Sequence, residues 1–120
     1  MRRLLYVEDD EDHRELLSAF LRASGFAVTT ARNAAEAVGA LNRADFDVLL
    51  ADVSLPDRDG WHVAAEARAR RPGVRVVMLS GYDRDYLAAG SSPGLADEIV
   101  TKPVAPLDLL SRLRSLPPGA

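Results

Sequence analysis

The stretch Phe46-Asp47-Val48-Leu49-Leu50-Ala51-Asp52 decides the fold. An apolar run that is continuous rather than alternating reads as a strand covered on both faces, as in a parallel sheet with helices above and below. Val76-Val77-Met78-Leu79 has the same character. Together with runs at 4–7, 27–30 and 99–101, these two, at 46–51 and 74–79, make a set of five strands.

Between the runs the apolar spacing becomes helical. Leu16, Leu17, Phe20 and Leu21 mark one helix face, and Gly25 stands where a C′ residue would close that helix. Asn33 followed by Glu36 reads as a capping box opening a second helix that runs to about residue 42. A third helix is expected over 59–70, closed by Pro72-Gly73, and a last one over 107–116 with Leu107, Leu110 and Leu113 on one stripe. Only a short helix, over 83–89, fits between the last two strands, because Gly90-Ser91-Ser92-Pro93-Gly94 is loop chemistry. Such alternation specifies an open α/β sheet with right-handed crossovers, whose ligands bind beyond the carboxyl ends of the strands.

Composition narrows the chemistry. A chain of 120 residues forms one domain with a single core, and 117–120, Pro-Pro-Gly-Ala, reads as a tail or the start of a linker. There is no cysteine, which excludes disulfides and thiol catalysis, and the net charge of −3 argues against direct nucleic-acid binding. No apolar run approaches the roughly 20 residues that span a bilayer, and Glu8 ends the first run too early for a signal peptide, so the expected location is cytoplasmic, away from membranes. Of 15 basic residues only Lys102 is a lysine.

That lysine lies at a strand end, as do the other chemically distinctive residues. Glu8 and Asp9 follow the first strand, Asp52 the third, Ser80-Gly81 the fourth and Lys102-Pro103 the fifth. Carboxylates from two adjacent strand ends raise one another's pKa unless a cation sits between them. Mg2+ suits such a place, because it accepts one or two carboxylates, keeps several waters and leaves room for a phosphate oxygen.

With these residues in order, Tyr6-Val7-Glu8-Asp9-Asp10, Asp47 through Asp52 with Pro56 and Asp59-Gly60, Val77-Met78-Leu79-Ser80-Gly81 and Thr101-Lys102-Pro103, the chain resembles the receiver domain of a bacterial two-component response regulator, over residues 2 to about 116. The resemblance implies a flavodoxin-like (βα)5 three-layer sandwich around a five-stranded parallel sheet of order 2-1-3-4-5, with residues 1–116 as the receiver domain. It implies that Asp52 is the phosphoacceptor, that Asp9 and Asp52 bind Mg2+ directly, that Glu8 does so through water, and that Ser54 gives its backbone carbonyl to the metal. Ser80 would meet the phosphoryl group with its hydroxyl, Gly81 would leave it room, and Lys102 would pair first with Asp52 and then with phosphoryl oxygens. Pro103 implies a cis peptide after Lys102.

The implied partners are a histidine kinase or a histidine phosphotransfer protein as donor and an unnamed protein or output domain downstream, with dimerisation left open. Such a domain is a phosphoacceptor that supports its own phosphorylation and dephosphorylation rather than an enzyme acting on other molecules. One departure bears on the output. The family commonly carries an aromatic three residues before its lysine, where this chain has Ile99. The usual ring-swinging readout is therefore absent, with Tyr82 or Tyr86 as substitutes, and a phosphorylation-independent interaction module is the alternative. A phosphohydrolase of the haloacid dehalogenase type would need Asp-x-Asp, and Asp52-Val53-Ser54 lacks the second carboxylate.

Other conspicuous residues take structural readings. Trp61 is helix-packing bulk, and His13 and His62 are surface residues. Asp10, Glu11 and Asp12 are a solvated run favoured by a helix N-terminus, Gly60 and Gly73 serve turns, and Arg68, Arg70, Arg71 and Arg75 form a solvent-exposed basic patch.

Overall fold

The structure, a computed structural model, describes residues 2–81 and 93–117. In chain order it contains β1 (Arg3–Val7), α1 (Glu11–Ala23), β2 (Ala27–Ala31), α2 (Ala34–Arg43), β3 (Val48–Asp52), α3 (Gly60–Arg70), β4 (Arg75–Ser80), a 3-10 turn (Pro93–Leu95), β5 (Glu98–Thr101) and α4 (Pro106–Ser115). The strands form one parallel sheet in the order β2-β1-β3-β4-β5. The short helix expected over 83–89, with Tyr82 and Tyr86, lies outside the described residues.

Each strand divides its side chains between two cores. Leu5, Val7, Leu49, Ala51, Val76 and Met78 face α2 and α3, where Ala34, Ala37, Ala40, Ala64 and Ala67 present small side chains. Leu4, Tyr6, Leu50, Val77, Leu79 and Val100 face α1 and α4, packing on Leu21, Leu109, Leu110 and Leu113. This is why β3 is buried at every position and reads as a continuous apolar run.

The strand ends match the sequence closely, with Asp52 and Ser80 as the last residues of β3 and β4. Two helix faces differ. Leu16 is 72% exposed and Leu107 71% exposed, so α1 packs through Leu17, Phe20 and Leu21 and α4 through Leu109, Leu110 and Leu113. Neighbouring leucines at i and i+1 leave the helix phase ambiguous by about 100°, and packing settles it.

Local signals hold at the helix termini. Gly25 (φ 103°) follows the Ser24 C-cap of α1 and is the only positive-φ residue described. Asp10 caps α1 by accepting from His13 N–H, and Asn33 caps α2 by accepting from Glu36 N–H. The capping box is shifted by one residue, since the Glu36 carboxylate accepts from Arg32 N–H rather than from Asn33 N–H.

Gly73 serves a turn with Pro72, closed by Val74 N–H donating to Arg71 O at 3.0 Å, whereas Gly60 needs another explanation. Gly60 is the first residue of α3 and buried, and a Cβ there would lie 2.0 Å from the carbonyl oxygen of Asp52. Gly73 has no positive φ. Trp61 is buried among the α3-side residues, as its bulk suggested.

The arginines expected to form an open basic patch are instead tied down. Arg68 donates to the carbonyls of Val74 (2.6 Å) and Leu95 (3.2 Å) and pairs with Asp97 at 2.9 Å. Arg71 pairs with Asp47, Arg75 with Asp97, and Arg70 with Glu66. Arg2 likewise donates to Leu113 O and Leu116 O at the end of α4. A planar guanidinium with five donors can bridge several carbonyls and a carboxylate at once, which an ammonium cannot.

Candidate functional site

The sheet topology brings the distinctive strand ends together. β3 lies between β1 and β4, and β5 flanks β4, so Glu8, Asp52, Ser80 and Lys102 leave four neighbouring strands at the same edge. Glu8 prolongs β1 by donating its N–H to Ala31 O at 3.0 Å, and Lys102 prolongs β5 by donating its N–H to Ser80 O at 2.7 Å. The Lys102-Pro103 peptide is cis, as the sequence implied.

Glu8, Asp52 and Ser80 are buried and Asp9 is exposed. Lys102 Nζ donates to a carboxylate oxygen of Asp52 at 2.8 Å and to Glu8 Oε1 at 3.0 Å. Glu8, Asp9 and Asp52 each offer one carboxylate oxygen, and all three oxygens lie within 4.8 Å of one another. Gly81, just past β4, is exposed, and a Cβ there would meet nothing within 4 Å. Ser54 lies on the exposed loop two residues beyond Asp52.

One ammonium cannot neutralise two buried carboxylates. Burial pushes the Asp52 carboxyl up, Lys102 opposes this, and the neighbouring Glu8 adds to it, leaving Asp52 at about 7. Burial also pushes Glu8 up, but hydrogen bonds from Asp52 and Lys102 outweigh it and hold Glu8 below the usual carboxylate range. Burial lowers Lys102 less than its two anionic partners raise it. The site therefore holds an excess of negative charge that a bound cation would relieve.

The donor set fits a hard divalent cation. An octahedral shell at about 2.1 Å places directly bound oxygens roughly 3 to 4.2 Å apart, so oxygens of Asp9 and Asp52 within 4.8 Å of one another need only a small adjustment, with Glu8 near enough to act through a water.

Similarity to known proteins identifies the family. The family model described as "Response regulator receiver domain" matches residues 4–114. The chain belongs to the response regulator receiver family. It is 35% identical over 114 residues to the transcriptional regulatory protein TcrA of Mycobacterium tuberculosis, covering 95% of this chain and 45% of that protein. This receiver domain thus spans about half the length of the curated relatives it matches. Its fold is similar to that of the response regulator TrrA of Thermotoga maritima in complex with Mg(2+)-BeF, with a TM-score of 0.84, 29% identity, and coverage of 95% of this chain and 97% of that one. It is also similar to the receiver domain of sensor histidine kinase PA1611 from Pseudomonas aeruginosa, solved with a magnesium ion in its active-site cleft (TM-score 0.79, 28% identity, 94% of each chain).

Sequence reasoning assigned no role at the site of this receiver domain to three residues near it. Tyr6 is buried beside Glu8, and burial followed by the Glu8 and Asp52 charges raises its hydroxyl pKa, so it stays neutral. The two-residue spacing of Tyr6 and Glu8 on one strand face was the available signal. Gly60 gives α3 its close approach to Asp52, and Asp57 accepts from the first amides of α2. The sequence carries no signal for Asp57's partners, which are backbone groups.

Proposed function

We propose that this receiver domain accepts a phosphoryl group on Asp52 from the phosphohistidine of a histidine kinase or a histidine phosphotransfer protein, and that the modification changes how a downstream protein or output domain binds. What supports this reading is the convergence of Glu8, Asp9, Asp52 and Lys102 at adjacent strand ends, with Lys102 Nζ 2.8 Å from Asp52 and 3.0 Å from Glu8. Residues 1–116 carry the chemistry, in the cytoplasm, without acting on other substrates.

In the transfer, a carboxylate oxygen of Asp52 attacks phosphorus. The new P–O bond forms as the P–N bond breaks, and the imidazole nitrogen leaves with the electron pair. Mg2+, bound directly by Asp9, Asp52 and the Ser54 carbonyl and through water by Glu8, would supply neutralisation of the phosphoryl charge. Lys102 moves its ammonium from the Asp52 carboxylate to a phosphoryl oxygen, and the Ser80 hydroxyl donates to another. Gly81 leaves the phosphoryl group space that any Cβ would reduce. Dephosphorylation uses the same residues: water attacks phosphorus, the bond to Asp52 breaks, and inorganic phosphate leaves with the carboxylate restored.

A cleft of about 680 Å3 beside the site, lined in part by Tyr6, Glu8, Leu17, Lys102 and Val104, gives a donor side chain room to approach. The test is intact mass after incubation with a small acyl phosphate. The wild type should gain one phosphoryl group only with Mg2+ present, and Asp52→Asn should gain none. Equal labelling of that variant would remove Asp52 from its role.

A further inference from the structure

Asp57 lies outside the acidic strand-end cluster, yet the loop between β3 and α3 connects it to that cluster. The loop is pinned at three points. Val53 N–H donates to Leu79 O of β4 at 2.9 Å, and Gly60 N–H donates to Val53 O at 2.7 Å. At the outer end, Asp57 Oδ1 accepts from Ala34 N–H at 2.8 Å and Oδ2 from Ala35 N–H at 2.9 Å. Ser54 is strung between the inner and outer anchors.

The outer anchor is of a particular kind. Ala34 and Ala35 are the first two residues of α2, so their amides have no partner within the helix. Asp57 takes both with one carboxylate, and Arg58 N–H donates to the same group at 3.1 Å. Two charge-assisted bonds to a rigid helix end fix direction as well as distance, and the helix dipole favours the anion. The Ala34 amide first, and then Ala35, hold the Asp57 carboxyl below its usual range, which keeps the anchor ionised at neutral pH. The helix has its own cap besides, with the Asn33 side chain accepting from Glu36 N–H at 2.8 Å.

We propose that Asp57 is a positioning residue for the metal site, holding the β3–α3 loop against α2 so that the Ser54 carbonyl is presented to the cation beside Asp52. This rests on the reading of that site as a Mg2+ centre. A loop free at its outer end would lose conformational freedom when the ion binds, whereas the anchored loop has lost it already on folding. The effect appears in cation affinity and does not need Asp57 to touch the ion.

Mg2+ binding measured by calorimetry, alongside thermal unfolding without metal, separates this from general support of the helix. Asp57→Ala should weaken Mg2+ binding by about tenfold, the low end for outer-shell partners of metal ligands, and Asp57→Asn, which keeps one acceptor oxygen, should lose less. Asn33→Ala removes a cap from the same helix without touching the loop, and should lower the melting temperature while leaving Mg2+ affinity within about twofold of wild type. Unchanged affinity in both Asp57 variants would overturn the proposal, as would an equal loss in Asn33→Ala. If the wild type binds no Mg2+, or Asp9→Asn binds it as tightly, the metal reading itself falls, and the positioning role falls with it.

Discussion

At the scale of single residues, the site is a problem of charge: two buried carboxylates share one ammonium, and Asp52 bears most of the cost. Its carboxyl titrates at about 7 in the folded chain, against about 3.9 for an unperturbed aspartate. Between those values the folded state binds more protons than the unfolded state, so this group makes the protein less stable as pH rises across the window. Asp52→Asn should therefore raise the melting temperature of the metal-free protein at pH 8 by about 5 °C or more, an advantage that disappears towards pH 4. Calorimetric scans at the two pH values check this, and a lower melting temperature for the variant at pH 8 would contradict it. The residues of the site were legible because each ends a strand, and a parallel sheet places its strand ends together. Asp57 was not, because a carboxylate that binds backbone amides 22 and 23 residues away leaves no partner to find in the sequence.

At the scale of elements, the junction between β3 and α3 bears most directly on the site. A Cβ at Gly60 would lie 2.0 Å from Asp52 O and 2.9 Å from Met78 Cε, and the backbone of β3 cannot yield without moving Asp52 itself. Gly60→Ala is expected to cost about 3 kcal/mol or more, seen as a lower urea midpoint, and to weaken Mg2+ binding together with it. An unchanged midpoint would show that α3 can slide away from the strand freely. The sequence suggested a turn here because Asp59-Gly60 is turn chemistry in isolation; Asp59 in fact caps α3, with its side chain accepting from His62 N–H. The same limit explains Leu16 and Leu107, whose helical spacing pointed inward while the neighbouring leucines took the buried positions. The central strands β1, β3 and β4 escaped this ambiguity because burial on both faces removes the question of phase.

At the scale of the whole molecule, a single lysine among fourteen arginines acquires a physical meaning. Several arginines act as staples between loops, strand starts and helix ends through a broad fork, Arg2 binding two carbonyls and Arg68 carbonyls and a carboxylate together. Arg68, Arg70, Arg71 and Arg75 were read from sequence as an exposed patch, since carbonyl partners carry no side-chain signature. Lys102 sits at the opposite, carboxyl end of the sheet, where a compact ammonium reaches two carboxylates from a half-buried position. At that edge Arg14 also donates to the carbonyls of Glu8 (2.9 Å) and Asp9 (3.4 Å), but Lys102 is the cation that meets the buried carboxylates. The central claim is that this carboxyl edge takes a phosphoryl group on Asp52. Reducing the phosphorylated protein with borohydride converts an aspartyl phosphate to homoserine, and sequencing the resulting peptides locates it. Homoserine should appear at position 52 and only after Mg2+-dependent phosphorylation; homoserine at Asp9 or another aspartate, or at Glu8 the hydroxynorvaline that a glutamyl phosphate would give, with Asp52 intact, would contradict the claim.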